Sequence, residues 1–193
     1  MICLTLRPNG SQMKRRLLLK QVMLAAAAAA LAPSCTFDKK KASIALHHLT
    51  VDGDQEELLA SITETIIPAT DIPGARALNV HRFVLKMIDD CYEKEVQENF
   101  VKGLDQVNEI AKKQFGKSFG EGTALEREEV LKSVGDKESS NPPEVLAAYP
   151  TIKQLTIQGF LTSQYIMQNI QGYEFVPGRF NGCVEVPKKK LSA

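Results

Sequence analysis

The sequence has no C-x-x-C pair, so the usual ligand spacings of structural zinc sites and of c-type haem attachment are missing. It has no glycine-rich turn between a strand pattern and a helix. Gly116, Gly120 and Gly122 lie close together but follow a helical run, which makes no phosphate cradle. No segment alternates apolar and polar residues with a period of two, and no repeat recurs along the chain. A large charge of one sign is also lacking: 24 Lys and Arg oppose 23 Asp and Glu. The local excess sits at the front, where Arg7, Lys14, Arg15, Arg16 and Lys20 meet no acidic residue before Cys35. The remainder is mildly acidic and has no electrostatic reason to bind nucleic acid. Lys188-Lys189-Lys190 is a short solvated tail rather than a binding patch.

What is present begins with a leader. Met13, a plausible start beside Met1, opens MKRRLLLKQVMLAAAAAALAPSC. Arg15 and Arg16 are followed by three leucines and Lys20, the pattern of a twin-arginine export signal. The apolar residues 22–32 fall short of the roughly 20 needed to span a bilayer and have the length of a signal core. A twin-arginine signal exports folded proteins, so a small chain can carry a leaderless partner. An ordinary secretory signal with two incidental arginines is the alternative. Cys35 ends a lipobox-like stretch in which Ala32 stands where Leu is usual and Leu31 comes one position early. Acylation there would anchor the chain on the periplasmic side of a membrane. Cleavage near Ser34 would instead release a soluble exported protein. The expected organisation is a signal at 1–35, a tether at 36–53, a helical domain at 54–184 and a basic tail at 185–193.

The domain reads as all-α, a single helical bundle, because each predicted helix has one apolar face to bury. Asp54 and Glu57 have capping-box spacing, and Leu58, Leu59, Ile62 and Ile66 then share a face up to Pro68. Asn79 can cap a second helix with the stripe Val80, Phe83, Val84, Met87, Ile88 and Cys91. A third runs from about Glu95 with Val96, Phe100, Leu104, Val107, Ala111 and Phe115, and stops at Gly116. Thr123 with Glu126 opens a fourth, with Leu125, Val130, Leu131 and Val134 inward. Asn141-Pro142 caps a short turn near residues 147–149, and residues 151–171 form a last long helix with Leu155, Phe160 and Ile166. The segment from Gly172 to Cys183 is irregular.

Chemistry-bearing residues are sparse. His47 and His48 fall in the tether, and His81 near a helix start, where partial exposure is expected. Asp89 and Asp90 are helix neighbours that do not face each other, a poor acid–base pair, and Asp89 reads as solvated or capping-related. Asp71 reads as a turn residue accepting backbone hydrogen bonds, and Gly74 as a source of backbone freedom. Cys91 and Cys183 could pair in an oxidising compartment, closing a span of 92 residues, which the chain-entropy view values at about 4–5 kcal/mol. Alternatively Cys91 is a small buried hydrophobe on its stripe.

Residues 58–90, LLASITETIIPATDIPGARALNVHRFVLKMIDD, resemble the gluconate 2-dehydrogenase subunit 3 family in the Pro-Ala-Thr-Asp turn, the following Pro-Gly-Ala and the flanking helices. Phe160-Leu161-Thr162-Ser163, Tyr173, Pro177-Gly178-Arg179 and Gly182-Cys183 resemble its closing segment. The resemblance implies a non-catalytic small subunit beside a large FAD-dependent dehydrogenase of the glucose–methanol–choline type, with a cytochrome c subunit in some complexes. It implies no catalytic, metal or cofactor residue in this chain, with FAD on the partner. The turn with Pro68, Asp71, Ile72, Pro73 and Gly74 is the candidate partner surface. A self-standing exported helical binding lipoprotein is the competing reading.

Overall fold

Two residues before the expected cap, Asp52 starts the first helix. Its carboxylate accepts the Gln55 N–H at 2.9 Å, and the Gln55 amide oxygen accepts the Asp52 N–H at 3.2 Å. Glutamine closes a capping box as glutamate does, so α1 runs over Gly53–Ile66 and not from Asp54. The computed structural model describes residues 41–136, 141–176, 178–179 and 182–183. Arg15, Arg16, Lys20, Cys35 and the basic tail lie outside the described residues.

Among the described residues the chain forms four further α-helices: α2 (Val80–Cys91), α3 (Lys94–Phe115), α4 (Ala124–Gly135) and α5 (Pro143–Leu161). A short 3-10 turn at Phe119–Glu121 and a wide helical turn at Ile166–Ile170 complete them. No sheet occurs among the described residues, and the only pairing of strand type there is an isolated antiparallel bridge between Lys41 and Asp52. The all-α expectation holds. α1, α3 and α5 each pack against all four of the other helices. The most extensive pair is α3 with α5, where Gly103 lets the backbones close: a Cβ there would come within 2.5 Å of the Ala148 Cβ.

The helix ends follow their local chemistry, with three corrections. Thr123 and Glu126 form both bonds of a capping box, at 3.3 and 2.7 Å, and Gly116 closes α3 at φ 70°, its N–H on the Lys112 carbonyl at 2.9 Å. Asn79 makes no side-chain cap. It sits left-handed at φ 55°, a conformation Asn tolerates, and turns the chain into α2. Asn141 does not cap α5 either: its amide donates to the Ser133 carbonyl at 2.8 Å, tying down the end of α4. α5 starts one residue past Pro142 and runs through Pro150 as one helix, so the expected break before Thr151 is absent.

Faces also differ from expectation. Val130, Leu131 and Val134 point inward on α4, but Leu125 is exposed. α2 buries Val80, His81, Val84, Leu85, Ile88 and Asp89, whereas Phe83 and Met87 are half-buried and Cys91 is exposed. The face is turned because something packs on its flank. Residues 41–52, expected to be a free tether, lie along the bundle as a strap with Leu49 and Val51 buried. Each such side chain contributes about 1.5–3 kcal/mol of apolar burial.

Candidate partner surface

The loop between α1 and α2 is organised by Glu64, a residue that no local motif singles out. Its carboxylate accepts the Ala69 N–H at 3.1 Å and the Arg76 N–H at 2.8 Å. The loop closes on itself where the Ala75 N–H meets the Ile67 carbonyl and the Thr70 N–H meets the Ile72 carbonyl, both at 3.0 Å. Gly74 is needed here for closeness rather than for freedom. A Cβ would stand 2.6 Å from the Ala69 nitrogen and 2.6 Å from the Glu64 carboxylate. Pro68 and Asp71 are exposed, Ile72 and Pro73 half-buried, and Gly74 buried. Asp71 therefore does not hold the turn; Glu64 does. The five expected surface residues are brought together on one rigid loop, with the two prolines limiting its freedom.

The buried polar groups correct two further readings. Asp89 is fully buried, and accepts the N–H groups of His47, His48 and Leu49 at 2.8, 2.7 and 2.7 Å. Burial pushes its pKa up, but those three donors and the Lys86 ammonium outweigh it and hold the carboxyl well below the ordinary range. Asp90 beside it is exposed and paired with Lys86 at 3.0 Å. His81 is buried, not half-exposed, with Nε2 3.7 Å from Glu56 and Nδ1 without a partner. Burial lowers the His81 pKa, against the pull of Glu56. Glu56 accepts the Ser43 N–H at 2.6 Å and the Ser43 hydroxyl. Burial raises its pKa, but Ser43, His81 and Arg82 prevail and lower it. Ser43, Glu56 and His81 line one depression of about 450 Å³. The Ser43 hydroxyl and N–H both donate to the Glu56 carboxylate, which ties the start of the strap to α1. These carboxylates hold the strap.

Cys91 and Cys183 are both exposed and unpaired. Neither the bridge nor the buried-hydrophobe reading of Cys91 matches, because Cys91 ends α2 away from its inward face. Among the described residues no helix is long and apolar enough to cross a membrane.

A second surface was not anticipated. Ile157 and Leu161 lie exposed one turn apart on α5, followed by exposed Ile170, Tyr173, Phe175 and Val176. Phe175 is 86% and Val176 78% exposed, far more than a closed core would leave. A family model described as gluconate 2-dehydrogenase subunit 3 matches residues 53–178. The chain belongs to that family. Comparison with curated proteins and with solved structures finds no match. The subunit 3 domain thus begins just after the Asp52 cap, leaving the strap outside it, and takes in both the Glu64 loop and the exposed apolar run up to Val176. The family name makes its members subunits of a multi-subunit dehydrogenase, which fits an accessory role. A signal for the second surface was legible in the adjacent Phe175 and Val176 within an irregular tail; Glu64 and the strap carried none.

Proposed function

We propose that this subunit 3 is a non-catalytic accessory subunit of an exported flavin-dependent sugar or alcohol dehydrogenase. It assists the folding of a large FAD-bearing subunit of the glucose–methanol–choline type and brings it through the twin-arginine route with Arg15, Arg16 and Lys20. A cytochrome c subunit completes some such complexes. Acylated Cys35 would keep the assembly on the periplasmic face of the membrane. The observation that carries the reading is the run of exposed apolar side chains from Ile157 to Val176 inside the family domain. Apolar surface of this kind is covered in a stable assembly, where a specific interface buries about 800 Å² per side. The competing binding-lipoprotein reading is supported by a depression of about 520 Å³ lined by Ile66, Leu131, Tyr149 and Pro150 among others, a size used by small-ligand sites, about 300–1,000 Å³.

Purification of the tagged full chain from membranes tests the proposal. The expected result is a co-purifying large subunit with a flavin absorbance spectrum, and loss of that subunit from the periplasmic side when Arg15→Lys and Arg16→Lys are combined. A deletion strain that exports every flavin dehydrogenase in normal amounts and with full activity overturns the proposal in favour of the lipoprotein.

A further inference from the structure

The strap is anchored on two helices at once. On α1, Glu56 takes the Ser43 N–H and hydroxyl. On α2, Asp89 takes three consecutive N–H groups, those of His47, His48 and Leu49. Leu49 and Val51 are buried beneath. Neither helix alone offers both anchors, and the two come together only when α1 and α2 have packed. The strap precedes the family domain, which begins at Gly53. Only residues 36–40 separate Cys35 from Lys41, a link that reaches at most about 20 Å.

We propose that residues 41–52 form a fold-gated latch between the leader and the domain. The strap docks only on a correctly packed α1–α2 pair, and docking fixes where the leader leaves the folded chain and how far it can reach. In a misfolded chain the whole of residues 36–52 is slack. Docking on the native pair takes residues 41–52 out of that length, which leaves residues 36–40 between Cys35 and the latch. A pathway that accepts folded cargo then meets a short leader arm on a native chain and a long, loose one on a non-native chain. This function of the latch rests on the export reading above, whereas its docking does not.

The test uses the full chain and two variants, Asp89→Asn and Leu49→Ser. The second releases the strap from its own side and leaves the helices untouched, so it serves if Asp89→Asn fails to fold. Limited proteolysis and amide exchange at His47, His48 and Leu49 read docking, and the fraction exported reads function. Both variants should raise strap cleavage and exchange about tenfold or more, the effect of losing a charge-assisted hydrogen bond or a buried leucine. Cleavage within residues 53–161 should not change, and export should fall in parallel. Unchanged strap cleavage and exchange in both variants overturns the latch, and so does wild-type export of variants whose strap is shown to be loose. If Arg15→Lys with Arg16→Lys leaves export intact, the export reading fails by itself, and the proteolysis still decides whether the strap is gated by the fold.

Discussion

Asp89 and Asp90 are adjacent, chemically identical and different in role. Asp90 is a solvated partner of Lys86; Asp89 is the anchor for a segment forty residues upstream. Nothing local distinguishes them, so the sequence alone reads Asp89 as solvated or capping-related. The same holds for His81, whose burial comes from its place on the inward face of α2. Both residues make stability depend on pH in the same direction. His81 titrates below its ordinary 6.5 when folded, so the unfolded chain takes up a proton first. Stability is therefore complete above about pH 6.5 and declines as pH falls through the folded value. Asp89 titrates below its ordinary 3.8, so its contribution is intact above about pH 4 and is lost on further acidification. Urea melts between pH 8 and pH 3 should show two successive losses, and His81→Gln should remove the first alone. Asp89→Ala should lower stability by about 2–4 kcal/mol at pH 7, since it strands backbone donors.

Among the elements, those set by short-range chemistry were legible. The Thr123 capping box, the Gly116 stop and the inward Phe100, Leu104, Val107 and Ala111 of α3 follow from spacing alone, whereas Val96, on the same period, is exposed and Gln97 is buried in its stead. Elements decided by tertiary contact were not. Proline predicts a break, yet α5 passes through Pro150 because Ala148, Ile152 and Leu155 on either side are held in the core. Leu125 fits the apolar period of α4 but lies outside the packed surface. The loop between α1 and α2 was recognised as a rigid turn, though its organiser Glu64 lies in the preceding helix. Gly74→Ala should destabilise the protein by about 1–3 kcal/mol, because its methyl meets a backbone nitrogen and a carboxylate that cannot both retreat. Gly178→Ala, with open space around it, should shift the thermal midpoint little.

For the whole molecule, the fold class and the family domain could be read from the chain, whereas the exposed apolar surface was signalled only by Phe175 and Val176 in an irregular tail. Periodicity reports that a helix has an apolar face but not whether that face meets another helix or a partner. Ile157, Leu161, Phe175 and Val176 are apolar and exposed in the fold. Replacing Phe175 and Val176 together by Ser should leave the thermal midpoint of the isolated chain nearly unchanged, since they bury little. On the proposal of a flavin-bearing partner, it should reduce recovery of that subunit in a pull-down by about tenfold or more, as loss of an aromatic anchor does. Equal recovery would place the contact elsewhere, with the Glu64 loop next to be tried.

The contact of α1 with α5, far along the chain, has a consequence for how the protein is made. α1 ends at Ile66, but α5, one of its packing partners, begins only at Pro143. At about 5–20 residues per second, the ribosome needs some 4–20 seconds to complete the distance from α1 through α5. Throughout that interval α1 has Leu59 and Ile62 without their full shelter. A nascent chain in that condition is open to off-pathway association until the last helix has arrived.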